Sequence, residues 1–212
     1  MLKTIDGLAR GLVASSFVNM HRFLFCILSV VQFQTTPPLF WMGIGAGFLT
    51  LMCMLKYCYE LGVKYMTIYA FNIDNFRRSP EEVQYLMDLM LEKIEGLLKQ
   101  ETVINEYGEG IHFVGNLKLL DEPVRVAAEK VMQVTAKNTK SSLLICVAYT
   151  STDEIVHAVQ ASCQEKWNEI QELDHVINLV DIERHTYMGL APDPDVLIRT
   201  SGASHISNIL FW

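Results

Sequence analysis

The sequence predicts an α/β domain: a single, mostly parallel central sheet flanked by helices. Short apolar runs, Tyr65–Phe71, Ile111–Val114, Leu143–Tyr149 and Val196–Ile198, read as buried strands because they lack the apolar–polar alternation of a half-solvated sheet. Stretches with helical spacing of apolar residues separate them. No repeat, low-complexity tract or evident linker divides the 212 residues, a length able to bury one sizeable core.

Each element has a local reason. Tyr65-Met66-Thr67-Ile68-Tyr69-Ala70-Phe71 is rich in the aromatic and β-branched residues that strands favour. Ser79-Pro80-Glu81-Glu82 opens a helix, with Ser79 as N-cap, Pro80 at the first helical position and Glu82 completing a capping box. Val83, Leu86, Met87, Met90, Ile94 and Leu97 then form one apolar stripe. Asp121-Glu122-Pro123 starts a helix running to about Lys137, and Thr152-Asp153-Glu154 is expected to cap a helix carrying Ile155, Val156, Ala158 and Val159.

The N-terminal part differs in composition. Between Arg22 and Lys56 there is no charged residue, and Phe23–Val31 and Leu39–Leu55 are apolar runs on either side of Pro37-Pro38. Each is shorter than the roughly 20 residues a spanning helix needs, and the pattern does not match a cleavable signal peptide. Residues 1–42 are therefore expected to form an N-terminal apolar segment able to associate with a membrane surface. For Gly47–Cys58 a core helix is an equally good reading.

A net charge of −7 lacks the basic footprint of a nucleic-acid binder, so no nucleic-acid partner is expected. The five cysteines show no zinc or CxxC spacing and read as reduced thiols of a cytosol-facing protein. The histidines have no metal-ligand spacing, and His112, among apolar neighbours, reads as structural. No P-loop, nucleophile elbow or HExxH is present.

Chemistry collects at strand exits. Asn72-Ile73-Asp74-Asn75-Phe76-Arg77-Arg78 follows one strand and Arg199-Thr200-Ser201-Gly202 follows another. Ligands in open α/β sheets bind beyond the carboxyl ends of strands. Arg78 and Arg199 each offer a planar fork suited to a diphosphate, and Asn75 offers amide donors. The helix opening at Ser79 is expected to add unpaired backbone N–H groups. Either exit alone reads equally well as a solvated turn with surface arginines; two in one sheet favour a shared anionic ligand.

Together the exits resemble a known family. Tyr69–Ser79 with Glu82-Val83 and Leu86-Met87, and Pro192–Gly202 with Ser207-Asn208 and Trp212, resemble two signatures of the cis-prenyltransferases, the undecaprenyl and dehydrodolichyl diphosphate synthases. Tyr149-Thr150-Ser151 stands where bacterial members have Gly-Gly-Arg and looks like the eukaryotic dehydrodolichyl branch. The resemblance runs from about Gly43, so residues 43–212 are expected to be a cis-prenyltransferase domain, shortened at its C-terminal end.

The resemblance implies an enzyme that extends farnesyl diphosphate with isopentenyl diphosphate into long polyprenyl (dehydrodolichyl) diphosphates at the cytosolic face of the endoplasmic reticulum. It further implies a homodimer, or a heterodimer with a Nogo-B receptor-like subunit. Carried over, Asn75 is catalytic, Phe76 packs by the substrates, Arg78 contacts the allylic diphosphate, and Arg199 and Ser207 hold the diphosphate of isopentenyl diphosphate. Magnesium is expected for the family, but its usual carboxylates are missing. The Asp-Gly-Asn-Arg-Arg loop is replaced by Val30–Met42, without acid or arginine, and Gly43–Phe48 lacks the family's histidine and arginine. Ala203 and His205 stand where glutamate and arginine are usual, and Trp212 precedes the family's second metal-binding acid. The alternative reading is a non-catalytic relative acting as an interaction subunit.

Overall fold

A computed structural model describes residues 22–26, 54–168, 176–199 and residue 208. Its centre is a five-stranded parallel sheet in the order β3-β4-β2-β1-β5. The strands are β1 (Arg22–Cys26), β2 (Tyr65–Asn72), β3 (Glu109–Val114), β4 (Ser141–Tyr149) and β5 (Val196–Arg199). The helices are α1 (residues 54–60), α2 (Pro80–Lys99), α3 (Glu101–Tyr107), α4 (Glu122–Thr135), α5 (Ser151–Asn168) and α6 (Leu179–Arg184). The α/β class and parallel sheet expected from the strand–helix alternation are what the structure has.

Strand β1 falls in the apolar 1–42 segment, the rest of which lies outside the described residues, and it pairs with β2 on one side and β5 on the other. Phe23 lies level with both Met66 and Val196, and Cys26 with both Tyr69 and Arg199. A continuous apolar run is what a strand paired on both edges uses, and periodicity alone does not tell it from a buried helix. Among the described residues no helix is long and apolar enough to cross a membrane.

The sheet carries an apolar cluster on each face. On the first, Met66, Ile68, Phe71, Leu143 and Val147 meet Leu86, Met87 and Ile94 of α2 and Val124, Ala128 and Val131 of α4. The stripe predicted for α2 is thus the stripe that packs. On the second, Tyr69, Val114, Leu144, Cys146 and Tyr149 surround Met188. Helix α5 departs from its predicted pattern: it buries Glu154, Ala158 and Ser162, one residue per turn, and leaves Ile155, Val156 and Val159 exposed.

The carboxyl end of the β2–β4 pair is irregular. Tyr69 pairs with Cys146, Phe71 with Val147 and Asn72 with Tyr149, so Ala70 is skipped on one strand and Ala148 on the other. Ala148 takes a left-handed φ of 47°. The two one-residue bulges cancel in register, but each flips the side chain after it to the other face. Phe71 joins Met66 and Ile68 instead of Tyr69, and Tyr149 joins Leu144 and Cys146. Gly115, at φ 131°, ends β3 against this bulge, where an added Cβ would sit 2.2 Å from the Val147 carbonyl oxygen. Asn116 N–H then donates to the Ala148 carbonyl at 3.0 Å.

Helix α6 is held to α5 by charge. The buried Asp181 carboxylate accepts from Asn178 N–H at 3.0 Å in a complete capping box and lies 3.7 Å from Lys166 Nζ. That backbone hydrogen bond first, and then Lys166, hold its pKa below the usual aspartate value. A carboxyl group depressed in the folded state stabilises above its unfolded pKa, about 3.9, and the contribution fades as pH falls through the lower folded value. The melting temperature of Asp181→Asn is therefore expected to fall less than that of wild type on acidification below about pH 4. Gly115→Ala is expected to lower stability by about 3 kcal/mol, read from urea unfolding, because the obstructing atom is backbone and the φ is unfavourable for alanine.

Candidate active site

All five strands run the same way, so their exits open along one edge, where open α/β sheets hold ligands. At the β2 exit, Asn72 caps a 3₁₀ turn over Ile73–Arg77, its side chain accepting from Asp74 N–H at 2.7 Å. The turn is folded back by Phe76, whose ring meets that of Phe71 edge-on at 4.9 Å between centroids. The bulge at Ala70 makes this contact available by turning Phe71 toward α2. Asn75 rides on the turn half-buried, its carbonyl accepting from Arg78 N–H at 3.1 Å. Among the described residues its side-chain amide makes no hydrogen bond, leaving its donors for a ligand.

Arg78 closes the corner. Its side chain is 24% exposed, with Nη1 3.9 Å from Glu82 Oε1 one helical turn on. Arg77 is solvated and lies 3.5 Å from Asp74. Ser79 caps α2 as predicted, its Oγ accepting from Glu82 N–H at 3.4 Å, but Glu82 faces Arg78 and does not complete the capping box. The free helix N–H groups expected here are few, since Pro80 has none and Glu82 N–H is taken.

Arg199 is the last residue of β5, level with Cys26 of β1, so one strand separates its exit from that of β2. Strands lie about 4.8 Å apart, which puts the two basic exits on the order of 10 Å from each other along the edge. Ser207 lies outside the described residues. Its neighbour Asn208 shows where the segment beyond β5 returns. Asn208 has a left-handed φ of 50°. Its carbonyl accepts from Ser151 N–H at 2.9 Å, and its Oδ1 accepts from Thr152 N–H at 3.2 Å and Thr152 Oγ1 at 3.0 Å.

The start of α5 also corrects the sequence reading. The helix begins at Ser151, and Thr150 is its cap, with Oγ1 accepting from Asp153 N–H at 3.2 Å. With Ser151 and Thr152 bonded to Asn208, the N–H groups of this helix start are satisfied within the chain. This terminus is therefore not an open anion site.

Beneath the edge lies a polar group that the motif reading missed. Glu154, fully buried, accepts from Tyr149 Oη at 2.5 Å and from Met188 N–H at 2.7 Å. Burial, then the Glu154 carboxylate, push the Tyr149 hydroxyl far above the usual tyrosine range. Tyr187 nearby is pushed up to about 12 by burial and by Asp153. The available signal was an acid on the stripe Glu154, Ala158 and Ser162, otherwise made of small residues.

Comparison with known proteins shows the family. Residues 39–212 match the family model Prenyltransf, described as "Putative undecaprenyl diphosphate synthase". The chain belongs to the cis-prenyltransferase family. It is 55% identical over 190 residues to a dehydrodolichyl diphosphate synthase of Solanum lycopersicum, covering 80% of this chain and 66% of that one. It is 56% identical over 186 residues to a rubber cis-polyprenyltransferase of Hevea brasiliensis, covering 80% and 65% respectively. The chain thus spans just under two thirds of the length of these curated relatives. Its fold matches the crystal structure of lavandulyl diphosphate synthase from Lavandula x intermedia in complex with dimethylallyl diphosphate. The TM-score is 0.79 at 23% identity, over 91% of this chain and 82% of that one.

Among the described residues, the donor set of this edge does not fit a magnesium ion. Among the described residues no group of three His, Cys, Asp or Glu side chains is placed to hold a metal. Three acids near the edge are paired: Asp74 with Arg77, Glu82 with Arg78, and Glu154 with Tyr149 and Met188. Asn208→Gly keeps the left-handed backbone available while removing the Thr152 contacts. It is expected to cost about 1 kcal/mol of stability, measured by thermal unfolding against wild type.

Proposed function

We propose that this chain binds prenyl diphosphates along the carboxyl edge of its sheet and elongates farnesyl diphosphate with isopentenyl diphosphate into a long cis-polyprenyl (dehydrodolichyl) diphosphate. The observation that carries the reading is the corner built on β2. There the Phe71–Phe76 contact holds the unbonded amide of Asn75 and the guanidinium of Arg78 at the edge that Arg199 also reaches. In this reading Arg78 holds the allylic diphosphate and takes up charge as it departs. Arg199 and Ser207 anchor the isopentenyl diphosphate, and Asn75 orients the reacting group by amide hydrogen bonds. Phe76 shields the allylic carbon from water. The same reading places the protein at the cytosolic face of the endoplasmic reticulum membrane, as a homodimer or paired with a Nogo-B receptor-like subunit.

One observation favours a second reading, a non-catalytic interaction subunit. The described residues of the edge offer no carboxylate set for the family's metal. Helices α5 and α6 also expose the apolar side chains Val156, Trp167, Leu179 and Val180.

Incorporation of labelled isopentenyl diphosphate into polyprenyl product separates the two. With farnesyl diphosphate and magnesium, alone or beside a partner subunit, the first reading expects extractable long-chain product. Absence of product in both conditions, with farnesyl diphosphate binding retained, establishes the second. Arg199→Ala is expected to weaken isopentenyl diphosphate binding about tenfold, since a hydrogen bond to a charged group contributes about 1.5–3 kcal/mol. An unchanged affinity removes Arg199 from the site.

A further inference from the structure

We propose that Glu154 is a positioning residue for the diphosphate site, acting through Tyr149 to fix the strand exits that carry it. The proposal rests on the diphosphate reading above. Three elements meet at this one buried carboxylate, α5, β4 and the turn at Met188, and a fourth, β2, is joined to it through Tyr149. One oxygen accepts from Tyr149 Oη on β4, and the other accepts from Met188 N–H in the 3₁₀ turn Tyr187–Leu190 that leads toward β5. The Tyr149 carbonyl in turn accepts from Tyr69 Oη on β2 at 2.9 Å, and the two rings pack edge-on with centroids 5.9 Å apart. Glu154 itself stands in the first turn of α5, whose opening N–H groups bind Asn208.

The linked residues bracket the site. Tyr69 lies three residues before Asn72, the cap of the corner that carries Asn75 and Arg78. Tyr149 pairs directly with Asn72. The turn at Met188 precedes the strand that ends in Arg199, and Asn208 lies beside Ser207. Asn75 is thus three residues from Asn72, which pairs with Tyr149, and Ser207 is next to Asn208, which binds the α5 start; the tie toward Arg199 runs through the turn at Met188, eleven residues earlier. Glu154 lies on the Tyr149 side of the sheet, opposite the Phe71–Phe76 pair, so it acts through its partners.

Stability alone does not account for this carboxylate. Burying a carboxyl group costs free energy that its hydrogen bonds offset, whereas an apolar side chain carries no such cost. A fully bonded polar network gives one defined arrangement, whereas apolar side chains pack in several. The Tyr149 hydroxyl keeps its proton at physiological pH, so the link is present throughout that range.

The test is farnesyl diphosphate affinity by titration calorimetry on the full chain, for wild type, Tyr149→Phe and Glu154→Gln, below the melting temperature measured for each. Tyr149→Phe keeps the ring and removes only the donor. Both variants are expected to bind about tenfold more weakly while keeping a native far-ultraviolet spectrum, because misplacement by a fraction of an ångström is felt at an oriented site. Wild-type affinity in Tyr149→Phe, whatever its melting temperature, overturns the positioning role, and this variant decides alone if Glu154→Gln does not fold. Absence of binding by wild type overturns the diphosphate reading and this proposal with it. Binding by wild type with no loss in the variants overturns this proposal alone.

Discussion

The pairing of β2 with β4 is the constraint on which the rest of the edge depends. Two parallel strands in strict register would keep Tyr69 and Phe71 on one face and send Val147 and Tyr149 to the other. The skipped residues Ala70 and Ala148 break that rule twice and restore register by Asn72 and Tyr149. Phe71 is freed to brace the corner that carries Arg78, and Tyr149 is freed to reach Glu154. The conformational cost falls on Ala148, in a left-handed conformation that alanine rarely takes, and is accommodated because Gly115 leaves room beside it. Strain at a strand end beside a binding edge is where such departures concentrate.

Much of this architecture was legible in the chain. The strands at 65–72, 109–114, 141–149 and 196–199 and the stripe of α2 follow from apolar runs and helical spacing, signals that burial itself imposes. The corner at Asn72–Ser79 was legible because caps, prolines and arginines have local meanings. The bulges were not: Ala70 and Ala148 are unremarkable residues, and skipping them is decided by the partner strand and by Gly115. The Glu154 network is non-local in the same way. It joins residues 34 and 80 positions apart, and only the low side-chain volume at Ala158 and Ser162 hints that this helix face is buried.

Charge placement explains how an acidic chain can hold an anion. Screening limits exposed charges to about 10 Å at ordinary ionic strength, so the net −7 matters less than the groups at the edge. The Arg77–Asp74 and Arg78–Glu82 pairs there, at 3.5 and 3.9 Å and partly solvated, are the weak kind, each contributing at most about 1 kcal/mol. A diphosphate, with more charge and several acceptor oxygens, can displace a single carboxylate from a guanidinium fork.

Strand β1 shows why fold and chemistry can part company in this family. The sheet needs from its fourth position only a backbone able to pair with β2 and β5, and the side chains Phe-Leu-Phe-Cys meet the apolar character of a strand paired on both edges. Chemistry asks something different of the residues that follow a strand of an open α/β sheet. Residues 27–53 contain no Asp, Glu, Lys, Arg or His. Nothing in the energetics of strand pairing selects for a carboxylate in the residues that follow. The arginine corner, by contrast, is built into β2 and its 3₁₀ turn and is braced by core side chains. The placement of Asn75 and Arg78 is thus tied to the stability of the fold.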